Sequence, residues 1–187
     1  MDAALYGARL MNVLERSAPL VAMSAVSDAV NGWPGGVVQA GRDTLFVTPL
    51  YHAVRMWAEH RGDERLRVAA DGPTFDGGAG TAGAVGAAAR GVPWLDATAS
   101  RAGDRVFVKL VNADATRALG ARVELRGARA LPDAEWELLA SPDPAARNSF
   151  ATPDAITPRR STLTVAGPLD VRLPPGSVSV ITFRVAR

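Results

Sequence analysis

The chain has 187 residues, of which 48% are hydrophobic, so it can bury a core of ordinary size. The formal net charge is only +2, and Lys109 is the single lysine among 21 basic residues. Because the arginines are scattered and not interleaved with aromatic residues, the pattern argues against a nucleic-acid-binding surface. The absence of cysteine excludes disulfides, thiolate nucleophiles and thiolate metal ligands from this sequence.

Residues 2–18 have the periodicity of an amphipathic helix. Arg9, Asn12 and Arg16 share one side, whereas Tyr6 and Val13, with Leu5, indicate a second packed surface. The main apolar side is formed by Ala3, Gly7, Leu10, Met11 and Leu14. Since no strand or cap precedes this helix, we expect the sequence to begin inside a larger architecture.

A short apolar run at residues 25–30 predicts a strand, and a glycine-rich loop and a second helix at residues 46–60 follow it. Pro49 is compatible with the first helical turn, where its missing N–H has no partner to lose. The predicted apolar face of this helix is Val47, Leu50, Val54, Trp57 and Ala58, and its polar face is His52, Arg55 and Glu59. The order helix, strand, loop, helix is typical of the end of a β/α barrel, so residues 1–62 are interpreted as terminal barrel elements.

Residues 71–93 are dominated by glycine and alanine. Such a segment has little side-chain surface to offset the cost of ordering its backbone, which is about 1–2 kcal/mol per residue, and we interpret it as a flexible loop. A phosphate-binding loop is the alternative, but no Lys-Ser/Thr pair follows the glycines.

From Trp94 onward the hydrophobic pattern has a period of two residues, which is typical of half-buried strands. The runs lie at residues 105–112, 121–126, 136–139, 162–165, 169–173 and 177–185, separated by Gly, Pro, Asp and Asn turns. Seven or eight strands without intervening helices predict a mainly β fold. We therefore expect residues 63–187 to form an antiparallel β-sandwich or jelly roll after the helix-strand-helix remnant of a (β/α)8 barrel.

Four segments carry a family resemblance: DAALYGARLMNVLERSAPLVAM from residue 2, SDAVN from residue 27, NSFATPDAITP from residue 148 and LPPGSVSVITF from residue 173. Together they resemble the C-terminal part of the α-L-arabinofuranosidases of glycoside hydrolase family 51. The resemblance implies the last elements of a (β/α)8 barrel, which carries the active site, and the β-sandwich that packs against it. It also implies a role in hydrolysis of terminal α-L-arabinofuranosyl residues, with arabinose-containing oligosaccharides or polysaccharides as substrates and the catalytic barrel as partner.

The resemblance further implies retaining hydrolysis, in which one Glu is the acid/base and a second Glu forms the glycosyl-enzyme. Both family glutamates lie N-terminal to everything in this sequence, so no residue here is assigned as catalytic. The chain's own glutamates are all interpreted as ordinary surface carboxylates, with Glu135 and Glu137 on the solvated side of a strand: Glu15, Glu59, Glu64, Glu124, Glu135 and Glu137. No cofactor is implied.

Three residues are candidates for binding substrate. Where the family has A-Q-L-V-N at its last barrel strand, this chain has S-D-A-V-N, so Asp28 replaces the glutamine that contributes to the arabinose pocket. An ionised Asp accepts hydrogen bonds but does not donate them as an amide does. Asn31 and Trp33 follow the same strand and border the cleft in this interpretation, but Asn-Gly is equally an ordinary turn signal, and Asp28 is equally a loop acceptor.

The remaining chemistry-bearing side chains give weaker signals. His52 and His60 are eight residues apart without accompanying carboxylates, which does not favour a metal pair, and we expect both on the surface. Trp57 lies on the apolar helix face and is expected in the core, whereas Trp94 and Trp136 have no evident alignment for stacking a sugar.

Three functions remain open from the sequence. The chain is the non-catalytic C-terminal part of an arabinofuranosidase, or a stand-alone carbohydrate-binding or interaction module, or an independent hydrolase that uses carboxylates of its own, such as Asp28 with Asp96. A binding module requires an exposed row of aromatic residues, and a hydrolase requires two nearby carboxylates. The sequence shows no signal peptide and no apolar run of about 18 residues, so we expect a cytoplasmic location. Apolar helix faces left uncovered would favour a homo-oligomer.

Overall fold

The computed structural model describes residues 1–27, 29–32, 36–77, 89–143 and 145–186. The chain begins with helix α1 (Asp2–Arg16), the short strands β1 (Val38–Ala40) and β2 (Leu45–Val47), and helix α2 (Pro49–Glu59). All the remaining described elements are strands. Neither helix, nor any other in the described ranges, is long and apolar enough to cross a bilayer. The fold is mainly β, as the periodicity predicts.

The predicted helix boundaries are too wide. α1 ends at Arg16 rather than at residue 18, and α2 begins at Pro49 rather than at residue 46. Phe46 and Val47 belong instead to β2, because they pair with Gln39 and Val38 of β1 in a short antiparallel hairpin. The predicted strand at residues 25–30 is also not formed within the described residues, where only Val30 makes an isolated parallel bridge, to Val38.

Ten further strands follow α2. Their bounds are β3 (Glu64–Leu66), β4 (Thr74–Phe75), β5 (Val92–Pro93), β6 (Leu95–Ala102), β7 (Arg105–Asn112), β8 (Leu119–Val123), β9 (Ala130–Leu139), β10 (Arg159–Thr164), β11 (Leu169–Leu173) and β12 (Ser177–Val185). Six of them form one antiparallel sheet in the order β10-β9-β12-β7-β6-β3. A second sheet contains β11 and β8, and β4 pairs with β5.

The main core lies between the six-stranded sheet and the β8–β11 pair. Alternate residues of the central strands point into it, so that Val106, Val108 and Leu110 of β7 share one side with Ile181 and Phe183 of β12. β11 covers them with a regular alternation of buried and exposed positions over Leu169–Leu173. This is the half-buried strand pattern that predicts a sandwich, and the antiparallel pairings confirm it.

The opposite face of the six-stranded sheet is covered by the two helices. A second core forms there, and its buried members include Ala4 and Ala8 of α1, Ala53, Met56 and Trp57 of α2, and Val111, Leu139, Val178 and Val180 of the sheet. The buried residues of α1 are therefore Ala4, Ala8 and Asn12. The predicted stripe is wrong for Ala3 and Leu10, which are exposed, whereas Met11 packs against this core.

The glycine- and alanine-rich stretch at residues 71–93 is not wholly loop. Thr74 and Phe75 pair with Pro93 and Val92, and the N–H of Gly77 donates to the carbonyl of Ala89 at 2.7 Å. These contacts bring the two ends of the stretch together beside β6. Residues 78–88, which are nearly half of the predicted loop, lie outside the described residues. The predicted boundary between terminal barrel elements (residues 1–62) and the sandwich (residues 63–187) stays a prediction.

Candidate functional site

The loop after Val30 holds Asn31, the one predicted substrate-binding residue that the structure describes. Its φ angle of 54° is in the left-handed region, which Asn tolerates better than most residues. The Asn31 side chain pairs with the backbone of Ala40, donating to its carbonyl at 2.9 Å and accepting from its N–H at 2.8 Å. The Asn31 N–H also donates to the carbonyl of Val38 at 3.0 Å. Asn31 therefore fixes both ends of the glycine-rich loop.

The other predicted binding residues, Asp28 and Trp33, lie outside the described residues. The assignment of Asp28 and Trp33 as substrate-binding residues stays a prediction. The position of Asn31 beside a substrate cleft also stays a prediction. The far end of the loop is held by Thr48, whose hydroxyl donates to the carbonyl of Gly36 at 2.6 Å. Thr48 also precedes α2, so the loop and the start of that helix are fixed as one unit.

The prediction that Glu137 is solvated is wrong. Its side chain is only 4% exposed and receives a 2.6 Å hydrogen bond from Arg55 of α2 and a 3.3 Å hydrogen bond from Arg160 of β10. Glu59 shares both arginines, because Arg55 donates to it along the helix and Arg160 donates to it at 3.2 Å. Glu135, by contrast, is exposed as expected.

These two carboxylates are unsuited to glycoside hydrolysis, although Arg55 and Arg160 hold them in one cluster. A general acid in this reaction needs a raised pKa so that it is protonated when substrate binds. The hydrogen bond from Arg55 instead lowers the pKa of Glu59. Glu137 accepts hydrogen bonds from two arginines beneath α2. The cluster fastens α2 to the sheet.

Asp96, which the independent-hydrolase hypothesis pairs with Asp28, is also committed to the fold. It is buried, and it accepts from Arg16 at 2.7 Å and from the side chain of Asn12 at 3.1 Å. The indole N–H of Trp57 in turn donates to Asn12 at 3.2 Å. These bonds join α1, α2 and β6. Asn12 thus belongs to the interface with the sheet, not to a solvated helix face as predicted.

The lone lysine is buried in the same interface. Lys109 of β7 has a side chain only 2% exposed, donates to Glu15 of α1 at 2.6 Å and lies 5.8 Å from the ring centroid of Trp57. Burial lowers the pKa of Lys109, and the nearby Glu15 carboxylate opposes that effect. Glu15 is 17% exposed in its side chain, so the prediction of an ordinary surface carboxylate is wrong.

Histidine gives a further correction. His52 is buried rather than on the surface, and neither ring nitrogen has a hydrogen-bond partner. Burial, followed by the charge of Arg55, lowers the pKa of His52. His60 is partly buried and contacts the carbonyl of Met56 through Nδ1 at 2.7 Å. Within the described ranges, no group of three His, Asp or Glu side chains is arranged to hold a metal ion.

The described tryptophans do not form an exposed row. Trp57 is 6% exposed and in the core, as predicted. Trp136 packs against the sandwich core, and Trp94 stacks on Phe75 with ring centroids 4.1 Å apart and lies 5.7 Å from the guanidinium of Arg117. The described part of the chain therefore lacks the aromatic platform that a stand-alone carbohydrate-binding module requires.

One open cleft of about 700 Å³ lies at the end of the sandwich, between the turn after β8 and the loop joining β10 to β11. Glu124 is the one carboxylate among the described residues that line it. A single carboxylate does not supply the pair that glycoside hydrolysis uses. Among the carboxylates described above, Glu59, Glu137 and Asp96 are thus each bonded to an arginine.

Comparison with known proteins identifies the family. The family model described as the alpha-L-arabinofuranosidase C-terminal domain matches residues 1–177. The chain belongs to this family. No match was found among curated protein sequences.

Solved arabinofuranosidases have the same fold as this C-terminal domain. The enzyme from Thermotoga maritima, solved as an arabinose complex, superposes with a TM-score of 0.86 at 24% identity, covering 97% of this chain and 38% of that one. The GH51 enzyme from Xanthomonas axonopodis pv. citri gives 0.81 at 24% identity, covering 97% and 35%. The family 51 enzyme from Bifidobacterium longum gives 0.78 at 21% identity, covering 97% and 34%.

The arabinofuranosidase C-terminal domain thus spans little more than a third of the enzymes that it resembles. The resemblance carried by the four sequence segments is confirmed at the level of family and fold. The two helices are part of what superposes, since the match covers nearly the whole chain.

Proposed function

We propose that this chain is the C-terminal portion of a retaining α-L-arabinofuranosidase, and that it supports hydrolysis of terminal non-reducing α-L-arabinofuranosyl residues without supplying the catalytic glutamates. The observation that carries the proposal is the match of the C-terminal domain family over residues 1–177. Arabinose-containing oligosaccharides and polysaccharides are the substrates of the assembled enzyme in this proposal, within L-arabinose catabolism.

The ion pairs described above support the non-catalytic part of the proposal. Retaining glycosidases place two carboxyl groups about 5–5.5 Å apart, one as nucleophile and one as an acid of raised pKa. Here Glu137 and Asp96 are buried and bonded to arginines, Glu15 is bonded to Lys109, and the pKa of Glu59 is lowered. Each of these carboxylates positions a helix.

The contribution of this chain to the site is structural. Asn31 holds the loop that follows Val30, and the Arg55–Glu137 and Lys109–Glu15 pairs hold the two helices on the sandwich. In the assembled enzyme, this arrangement presents the loop to a substrate pocket whose reacting groups belong to the N-terminal portion. Asp28 and Trp33 would border that pocket with Asn31.

An activity assay tests the proposal. The purified chain is expected to release no 4-nitrophenol from 4-nitrophenyl α-L-arabinofuranoside above a buffer blank. The chain purified after co-expression with the N-terminal portion of a family 51 enzyme is expected to hydrolyse it. Turnover by the chain alone that is lost in an Asp28→Ala variant would contradict the proposal, and so would an assembled complex that lacks activity on arabinofuranosides.

A further inference from the structure

Phe150 is an exposed aromatic residue in the loop between β9 and β10. It is 54% exposed, and among the described residues Tyr6 of α1 is the one other exposed aromatic residue. The Trp94 ring, by contrast, already has Phe75 and the guanidinium of Arg117 as neighbours. A single exposed apolar side chain is ordinary on a protein surface. Its significance therefore depends on how the ring is held and on what lies beside it.

The loop that carries Phe150 is held in one conformation by hydrogen bonds. Ser149 and Thr152 exchange two backbone hydrogen bonds, each of 3.1 Å, across the turn that contains the ring. Asn148, which is only 5% exposed, donates to the last carbonyl of β2 at 2.8 Å and to the carbonyl of Ile156 at 3.0 Å. Asn148 thus fastens the turn to β2. A ring that is fixed before binding loses little conformational freedom when a ligand arrives.

The Phe150 ring packs on the β1–β2 hairpin (residues 38–47). It meets Phe46 edge to face, with ring centroids 4.9 Å apart. It also lies against Gly41, where an added Cβ would be only 3.2 Å from the ring, so the absence of a side chain there gives the ring its space. Arg42 and Asp43 follow in the turn of the hairpin, and both are exposed. An exposed ring, a guanidinium and a carboxylate therefore occur together at the tip of the hairpin.

This combination of groups suits a saccharide. The C–H groups of a sugar ring carry a small positive charge and are attracted to the negative face of an aromatic ring. A guanidinium donates hydrogen bonds to sugar hydroxyl groups, and a carboxylate accepts hydrogen bonds from them. A purely apolar partner would instead remove Arg42 and Asp43 from water without replacing their hydrogen bonds, which costs free energy.

The hairpin places Phe150 next to the loop that is proposed to border the substrate pocket. Asn31 bonds to the backbone of Ala40, the last residue of β1, and Gly41 follows directly. The hairpin lies between Val30 and α2, and in a β/α barrel the connections from a strand to the next helix line the active-site face. An enzyme that removes terminal residues encloses that residue, so the rest of the saccharide passes over the rim of the pocket.

We propose that Phe150, with Arg42 and Asp43, forms a contact site for the saccharide from which the terminal arabinofuranosyl residue is removed. This inference rests on the proposed function and adds to it the place where the leaving saccharide binds. Phe150 stacks on one sugar ring of that saccharide, and the two charged residues bond to its hydroxyl groups. One ring is less than the exposed row that a stand-alone binding module requires. The site therefore binds weakly by itself and favours long substrates over short ones in the assembled enzyme.

Three variants separate stacking from packing. Phe150→Leu keeps an apolar side chain against Phe46 but removes the aromatic face, whereas Phe150→Tyr keeps that face. Leu45→Ala is the matched control, because Leu45 is 62% exposed on the same hairpin. As the neighbour of Phe46 along β2, Leu45 points to the opposite side of the hairpin. Unfolding curves of the three variants and the original chain check that the folds are equivalent.

The first experiment uses the full chain alone. Each of the four chains is titrated with a linear arabino-oligosaccharide, and the backbone amide resonances are followed by NMR. We expect saturable shifts at residues 41–44 and 149–152 in the original chain, in Phe150→Tyr and in Leu45→Ala. Phe150→Leu is expected to bind about two- to tenfold more weakly, as the loss of one aromatic contact implies.

The second experiment uses the same chains co-expressed with the N-terminal portion of the Thermotoga maritima enzyme. The complexes are assayed on the arabino-oligosaccharide and on methyl α-L-arabinofuranoside, whose leaving group is too small to reach the ring. Phe150→Leu is expected to raise KM for the oligosaccharide by about two- to tenfold without changing kcat, because it removes a contact made equally in the ground and transition states. Both constants for the methyl glycoside are expected to stay unchanged.

The absence of saturable shifts in the original chain would overturn the contact site. So would equal weakening by Phe150→Tyr and Phe150→Leu, because that result would show a packing role instead of stacking. A complex inactive on both substrates would remove the proposed function, while shifts that depend on Phe150 in the chain alone would keep the contact site. An active complex whose KM for the oligosaccharide is indifferent to Phe150→Leu would do the reverse.

Discussion

The two faces of the six-stranded sheet are stabilised by different chemistry. The face toward β8 and β11 packs apolar side chains such as Val106, Ile181 and Phe183. The face toward the helices buries Lys109, Glu137 and other polar groups alongside its apolar residues. An apolar face needs only shape and burial, whereas a buried ion pair must find its partner in one geometry. The sandwich core therefore supplies stability, and the helix-sheet interface supplies a specific position for α1 and α2.

The first prediction tests the apolar face and has the largest expected effect. Phe183→Ala removes a side chain that is 1% exposed at the centre of the sandwich core. Loss of buried apolar area and the resulting cavity are expected to lower the free energy of unfolding by about 3–5 kcal/mol. Urea unfolding followed by circular dichroism measures it. If this variant does not fold, Ile181→Val is expected to cost about 0.5–1.5 kcal/mol. An unchanged unfolding midpoint for Ile181→Val would contradict the assignment of this core.

The second prediction breaks the polar face. Glu15→Ala leaves the Lys109 ammonium buried without its carboxylate, and we expect a loss of about 2–4 kcal/mol. The double variant Glu15→Leu/Lys109→Met removes both charges and is expected to lie within about 1 kcal/mol of the original chain. The same urea unfolding experiment measures both. A double variant as unstable as Glu15→Ala would show that the loss does not come from a buried Lys109 charge left without its partner.

The third prediction concerns the loop after Val30, which belongs to neither of the two cores on the six-stranded sheet. Asn31→Ala removes two hydrogen bonds to Ala40 and places a residue with a Cβ but no polar group at a φ of 54°, so we expect a loss of about 1–3 kcal/mol. Asn31→Gly keeps the backbone conformation available and is expected to lose less. Hydrogen exchange at the Ala40 amide should accelerate in both variants. A larger loss for Asn31→Gly than for Asn31→Ala would contradict this account of the loop.

The fourth prediction concerns pH and has the smallest expected effect. Burial lowers the pKa of His52 in the folded chain below its unfolded value near 6.5, so the unfolded state binds more protons as the pH falls. His52 is then expected to contribute a loss of stability on acidification, beginning near pH 6.5 and levelling off below the folded pKa. Its slope cannot exceed about 1.4 kcal/mol per pH unit. Arg55 adds to the lowering, whereas Asp154 and Glu137 oppose it.

His52→Phe keeps a ring of similar size and removes the titrating group. The difference in unfolding free energy between His52→Phe and the original chain is measured from pH 5 to pH 8. It should grow in favour of the variant as the pH falls through 6.5. A pH-independent difference would mean that His52 does not titrate on unfolding.

The sequence predicts the sandwich well because several of its strands can be recognised from the local sequence pattern alone. The run at residues 105–112 matches β7, and the runs at residues 169–173 and 177–185 match β11 and β12. β11 has one buried face, so its period of two is visible without knowledge of the partner strand. β7 and β12 are buried on both faces, so the half-buried pattern predicted for them is wrong although their bounds are right. The helix 46–60 is placed too early because Phe46 and Val47 are equally compatible with a strand, and only pairing with β1 decides between the two.

The polar side of the sheet is much harder to predict. Glu137 alternates with core-facing Ala134 and Trp136 in a way that indicates a solvated carboxylate. Its burial depends on Arg55, which is 82 residues away in sequence. Lys109 and Glu15 are 94 residues apart, and nothing in either local pattern predicts that pair. Tyr6 and Val13, which the sequence assigns to a second packed surface on α1, are both exposed, so that assignment stays a prediction.

The claim that catalysis lies wholly outside this chain is tested most directly by labelling. A retaining glycosidase forms a covalent glycosyl-enzyme at its nucleophile, so an arabinofuranosyl compound that inactivates by trapping this species marks the polypeptide that carries the nucleophile. The compound is added to the chain alone and to the chain co-expressed with an N-terminal portion, and both polypeptides are weighed by intact mass spectrometry. We predict one added arabinofuranosyl mass on the N-terminal polypeptide and none on this chain. A stoichiometric label on this chain, alone or in the complex, would contradict the account.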